Sequence, residues 1–397
     1  MSIYNSVFII IFSGVLALGT WNPFVPVSSF ENADSGFGIA QIVSVFFIMY
    51  LVLRKNISSI IMNRWSNVLY TFFTVFSLTT LLCNFNEISL STNIFLFKLL
   101  LVILLCLQLP KLFVENRNYV YISIYVFSIV SSIIAVLFWC GLLEQYITIN
   151  QGRFSLFGEN PNSTSARFSL AFILLLHVIL KNPFFWSKKR FFQLVLLMPL
   201  INIVLASGSR GSFIILVIST FLYLILFPQK KAINKVLIIS FLGVALVGGG
   251  IFILSKNSDY SILERLLDTY TTGNDAGRDQ LNNYALNIWL DSPIVGEGTI
   301  GFVNEMRIQF GETRTVHNLY FYILATSGII GFVSFMYFIY NLLCDSLFVR
   351  KQEPISLVIL LFMLLMAYKT GGALTYMLMW YVFAIIISLK LMKIYGK

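Results

Sequence analysis

Residues 119–142 read YVYISIYVFSIVSSIIAVLFWCGL, twenty-four positions without one charged side chain. A helix needs roughly 20 apolar residues to cross a hydrocarbon core of about 30 Å. The stretch lacks the apolar–polar alternation of a barrel strand. Inside lipid every backbone N–H and C=O must be satisfied within the protein, which leaves the helix as the form this segment takes.

Apolar runs of the same kind recur along the chain. They predict spans near 3–20, 38–53, 67–83, 93–109, 119–142, 163–180, 190–206, 211–227, 236–254, 318–342, 355–368 and 372–390. Composition agrees, with 58% hydrophobic and 11% charged residues and a mean hydropathy of +0.85. A soluble domain carries about a quarter charged residues, so lipid is the solvent here. The expected fold is all-α and integral to the membrane, with about twelve transmembrane helices. The first run has no Lys or Arg ahead of it and no small-residue cleavage site behind it, so it reads as a retained span. Cys83, Cys106, Cys140 and Cys344 lack metal-ligand spacing. Buried free thiols are the expected state, with a Cys83–Cys140 disulfide as the alternative.

The connections carry opposite charge. The even-numbered ones and the C-terminal tail hold seventeen of the 27 basic residues, among them Arg117, Lys181, Arg350 and Lys351. The odd-numbered ones hold eight: Arg153, Arg210, Lys256, Arg265, Arg278, Arg307, Arg314 and Lys369. Of the acidic residues, Glu115, Asp345 and Glu353 lie on the first side and the other fourteen on the second. By the positive-inside rule both termini are cytoplasmic. The net charge of +10 is thus a topology signal and implies no nucleic-acid partner.

Two connections on the outer side exceed what a connector requires, residues 143–162 and 255–317. Long loops of this kind are usually functional. Within the second, Leu281, Tyr284, Ala285, Ile288 and Trp289 recur at helical spacing and predict an amphipathic helix suited to the membrane surface. Asp291-Ser292-Pro293 ends it, and Gly296-Glu297-Gly298 follows as a turn. Ile262–Tyr270 shows a weaker stripe of the same sort.

Inside their ends, the predicted spans hold only Lys98, Arg167 and His177 as basic groups and no acidic one. Lys98 is expected to reach outward and His177 to be packed or hydrogen-bonded. Coupled transporters usually place carboxylates near the midplane, so chemistry at the outer face is favoured. There, four basic residues stand at helix starts. Arg153 precedes Gly158-Glu159-Asn160-Pro161-Asn162, with Asn162 a candidate N-cap and Glu159 expected to be a solvated carboxylate. Arg210 lies in Ser207-Gly208-Ser209-Arg210-Gly211, Arg278 follows Gly277, and His317 opens Val316-His317-Asn318-Leu319-Tyr320. Cations are disfavoured at helix N-termini. One such residue reads as a headgroup anchor, but the repetition makes sense around a bound anion.

The ordered set of motifs over about residues 150–335, with Gly328 and Gly331 after the last, resembles the O-antigen polymerase and ligase superfamily. The resemblance divides the chain into residues 1–142, five helices contributing topology, and a family-like catalytic region over 143–397. It implies metal-independent glycosyl transfer without a cofactor, on the outer face of the bacterial cytoplasmic membrane. The donor would be an oligosaccharide on undecaprenyl diphosphate, and a separate chain-length regulator is a candidate partner. Arg210 and Arg278 would hold the diphosphate, and His317 would assist the acceptor hydroxyl. Arg153, Asn160, Asn162, Asn318 and Tyr320 would bind substrate. A Wzy-type polymerase of O-antigen or capsular repeat units is favoured over a ligase, because the loop motifs look degenerate for a ligase. A protein O-oligosaccharyltransferase and, from another class, a lipid-linked oligosaccharide flippase remain the alternatives.

Overall fold

A computed structural model describes residues 2–21, 38–53, 63–83, 90–150, 153–181, 188–227, 277–311, 316–370 and 374–395. In chain order the described elements begin with α1 (Ser2–Leu16), α2 (Ile39–Leu53), α3 (Asn63–Cys83), α4 (Leu90–Glu115) and α5 (Asn118–Trp139). A short antiparallel hairpin follows, β1 (Ile147–Asn150) with β2 (Arg153–Leu156), Ile147 pairing Leu156 and Asn150 pairing Arg153. Then come α6 (Pro161–Lys181), α7 (Lys188–Val195), α8 (Leu197–Ala206) and α9 (Arg210–Leu226). The last group is α10 (Arg278–Asp291), α11 (Gly298–Phe310), α12 (Leu319–Val349), α13 (Ile355–Thr370) and α14 (Met377–Tyr395).

The chain is an all-α membrane protein. Six described helices are long and apolar enough to cross a bilayer, and further apolar helices are shorter. The expected ninth span, 236–254, and the stripe over Ile262–Tyr270 lie outside the described residues. Two helices form the centre. Of the most apolar window of α6, 89% is buried, and of that of α14, 83%, against 28% for α3. Helix α6 is enclosed by α5, α8, α9 and α13, while α14 packs on α4, α12 and α13. Buried hydroxyls tie the layers, Ser13 to Ser123 at 2.7 Å and Ser123 to Tyr381 at 2.8 Å, linking α1, α5 and α14.

Several expectations change. The predicted span 190–206 is broken at Leu196. Pro199 lacks an N–H, and its ring clashes with the carbonyl four residues back, which is that of Val195. Helix α12 runs on to Val349 and carries Asp345, a carboxylate paired with Lys390, inside a helix expected to hold none. Lys98 is buried. All four cysteines are free, but Cys83 and Cys140 are exposed and Cys106 alone is fully buried. His177 bonds Tyr223 through Nδ1 at 2.8 Å, as expected of a satisfied histidine.

Connections grouped by charge also meet in space. At the basic end, Glu353 takes Lys181 at 2.7 Å, Arg117 at 3.2 Å and the Tyr121 hydroxyl at 2.6 Å. Burial alone would raise the Glu353 pKa; the Lys181 ammonium, the Tyr121 hydroxyl and His177 outweigh it and hold the carboxyl below its ordinary value.

At the opposite end, α10 and α11 pack on the first half of α12. The stripe Leu281, Ala285 and Ile288 is buried with Phe302, Met306, Val316 and Ala325. It therefore faces protein, where a membrane-surface role was expected. The apolar side chains left exposed there include Leu290, Ile294 and Val295 and, on α11, Val303 and Ile308.

Helix α12 is broken at Gly328, which has φ 60° and ψ −165°. The Pro293–Gly298 turn closes the break backbone to backbone. Glu297 N donates to Ala325 O at 2.8 Å, and Ile329 N donates to Pro293 O at 2.9 Å. Within a membrane, a break is tolerated where neighbouring protein satisfies the freed groups in this way.

Candidate functional site

The end opposite the Glu353 cluster gathers most of the residues singled out above. Helix α6 starts at Pro161, where the missing N–H costs nothing because that donor is unpaired in any helix. Asn160 therefore does the capping, its Oδ1 accepting from Asn162 N at 2.9 Å. Asn162, expected to be the cap, is instead in the first turn with its side chain directed elsewhere. Its Oδ1 accepts from Arg153 at 2.6 Å and from Ser209 Oγ at 2.9 Å. Asn162 is 3% exposed and its Nδ2 has no hydrogen-bond partner. One carboxamide thus joins the hairpin, α6 and the start of α9.

Glu159 is buried and not solvated. It meets Arg167 at 2.8 Å and accepts from Thr20 N at 3.2 Å and Thr164 Oγ1 at 3.3 Å. Burial raises its pKa against the opposing pull of Arg167, Thr20 and Thr164. Arg167 also donates to Ala17 O and lies over the Phe168 ring at 4.9 Å. Ala17 and Thr20 follow α1, so the first helix anchors the turn that presents Asn162. Gly19 makes this possible, since a Cβ there would lie on the Glu159 carboxylate.

Arg210 is the first residue of α9, directly after Ser209, whose hydroxyl goes to Asn162 and Ser212 and not to its own helix cap. Gly211 touches a residue that sequence reasoning had counted only as an outer charge. A Cβ on Gly211 would lie 2.5 Å from Lys369 Cγ, 3.0 Å from Cε and 3.2 Å from Cδ. Lys369 lies in the last turn of α13, where a cation is ordinary and draws no notice in a sequence. The only signal was the glycine beside Arg210.

Arg278 and His317 belong to a second group. Arg278 follows Gly277, at φ 73°, and opens α10. Leu281 in that first turn shares a buried cluster with Val316, the neighbour of His317. Asn318 caps α12, its Oδ1 accepting from Tyr320 N at 3.0 Å and Phe321 N at 3.4 Å. The Tyr320 hydroxyl donates to Leu364 O on α13 at 3.2 Å. Asn160, Asn318 and Tyr320 are thereby held by backbone, while Arg153 and Asn162 join at α9. Helix α13 packs between α9 and α12 and links the two groups. The arrangement is rich in donors and cations, a setting for an anion.

Residues 194–336 match the family model for O-antigen ligase, which supports the O-antigen polymerase/ligase superfamily and a glycan-transfer activity of that type. The matched stretch contains Ser209, Arg210, Gly211, Arg278, His317 and Asn318. No curated protein matched the chain.

Proposed function

We propose, from the O-antigen-ligase-type domain over residues 194–336, that the protein polymerises undecaprenyl-diphosphate-linked oligosaccharide repeat units at the outer face of the bacterial cytoplasmic membrane. The observation that carries this is the meeting of Arg153, Asn162 and Ser209 at the first turn of α9, beside Arg210.

In this reading the acceptor sugar hydroxyl attacks the anomeric carbon of the growing glycan. The C–O bond to the diphosphate breaks, its electron pair passes to the phosphate oxygen, and undecaprenyl diphosphate leaves. Arg210 and Arg278 bind the leaving group more tightly as charge develops on it, which lowers the barrier. His317 takes the hydroxyl proton, the general-base work that imidazole commonly does. No step calls for a metal or cofactor.

The second reading is transfer of the glycan to lipid A-core, favoured by the description of the matched family itself. Purified protein in liposomes, supplied with lipid-linked repeat units alone, tests both. A ladder of glycans longer than one unit is the expected result. Transfer that occurs only when lipid A-core is added selects the ligase. Movement of intact lipid-linked units across the bilayer without any new glycosidic bond rejects both in favour of a flippase.

A further inference from the structure

We infer that Lys369 is a further binding residue for the diphosphate of the donor, acting beside Arg210. The inference rests on the glycan-transfer reading, and Lys369 lies outside the residues the family model matches.

Three observations carry it. The aliphatic stem of Lys369 runs along Gly211, with Cγ, Cδ and Cε all within 3.2 Å of where a Cβ would stand. A side chain at position 211 would occupy that place, so the glycine is what lets α13 bring Lys369 against the first turn of α9. Lys369 thus lies against the helix N-terminus that Arg210 opens, the end that repels positive charge. Second, the first turn of α9 has no side-chain cap, because Ser209 Oγ is committed to Asn162 and Ser212. Third, Asn162 turns its oxygen to Arg153 and Ser209, leaving the buried Nδ2 a donor with no partner. The buried Nδ2 of Asn162, the uncapped first turn of α9 and the lysine beside Gly211 converge on the same kind of ligand, one with several anionic oxygens.

A diphosphate fits that requirement better than a monophosphate. Arginine offers a planar fork to one phosphate, and lysine a compact ammonium with three donors to the second. A phospholipid headgroup shares part of this chemistry, so the experiment separates the two sources.

The test titrates farnesyl diphosphate and farnesyl monophosphate into the full chain, held in nanodiscs of phosphatidylcholine or of phosphatidylglycerol. Lys369→Met keeps an unbranched stem over Gly211 and removes the charge. It is expected to weaken farnesyl diphosphate by about 10- to 100-fold in both lipids, the range of a hydrogen bond to a charged group, and the monophosphate by less. Gly211→Ala, which displaces the lysine, is expected to act in the same direction and to add little in the Lys369→Met background. Together these two variants keep the question open to refutation if one fails to fold. Unchanged diphosphate affinity in Lys369→Met, where Arg210→Ala weakens it, overturns the inference alone. So does a loss confined to phosphatidylglycerol discs, which makes Lys369 a headgroup anchor. Failure of the wild type to bind farnesyl diphosphate overturns both the inference and the proposed function.

Discussion

Asn162 shows how much a residue's partners matter beyond its type. Its oxygen holds Arg153 and Ser209 together, and its nitrogen is a buried donor. Asn162→Asp keeps an acceptor for both partners while replacing that donor with negative charge. The expected outcome is a folded protein with at least about tenfold lower affinity for farnesyl diphosphate, since like charge at a binding site costs more than a hydrogen bond gains. A variant that binds as wild type would place the anion elsewhere. His317 is tested through turnover. If it takes the acceptor proton, His317→Ala lowers the rate by about 10²–10⁴ while the donor still binds. Near-normal rates for His317→Gln would make it an orienting hydrogen-bond partner. At this scale the sequence was informative about cations at helix starts, because motif spacing exposes them. It counted Lys369 and Arg167 only as charges and took Glu159 for a solvated carboxylate, because their contacts arise only when α13 meets α9 and α1 meets α6.

Individual elements were legible where local chemistry decides them. Gly277, Asp291-Ser292-Pro293 and the apolar repeat set both ends of α10 correctly. The face that repeat turns to was misassigned, because a stripe of Leu and Ile has the same pattern against protein as against lipid. The broken α12 was also hidden, since apolar residues continue on both sides of Gly328. That break makes a stability prediction. Both Gly296 and Gly328 have positive φ, and a Cβ on Gly296 would lie 2.6 Å from the Ser327 nitrogen. Gly328→Ala is expected to destabilise by about 1–3 kcal/mol from backbone strain alone, and more from the collision with Ile294. Thermal unfolding in detergent measures it; an unchanged midpoint would mean that the turn and the helix do not meet. At the other end, Glu353 has a folded pKa below its ordinary value of 4.5. The stability it contributes is complete above that value and is lost as pH falls through the lower folded value. Glu353→Gln is expected to be less stable at neutral pH and to lose less of its stability on acidification below about pH 4.5 than the wild type does. Parallel pH profiles would show that the cluster contributes nothing.

For the molecule as a whole, the class was plain from length and apolarity, and the sorting of loops into two sets was plain from charge. The structure brings Arg117, Lys181 and Glu353 together, three residues from connections assigned to one side. Which side faces the cytoplasm is a matter for labelling. Single cysteines introduced between Ser255 and His317 are expected to react with an impermeant maleimide in intact spheroplasts. Reaction only after permeabilisation would invert the topology and remove the proposed chemistry from its lipid-linked donor.

The joint between the Pro293–Gly298 turn and Gly328 has a consequence for how such a protein diversifies. Because the Pro293–Gly298 segment completes the hydrogen bonding of α12, the two are expected to fold as one piece. A chimera that imports the segment from another protein without the matching glycine of α12 would leave buried backbone groups unanswered. A segment exchange that keeps the fold is therefore expected to end before Pro293 or begin after Gly298, leaving the joint intact.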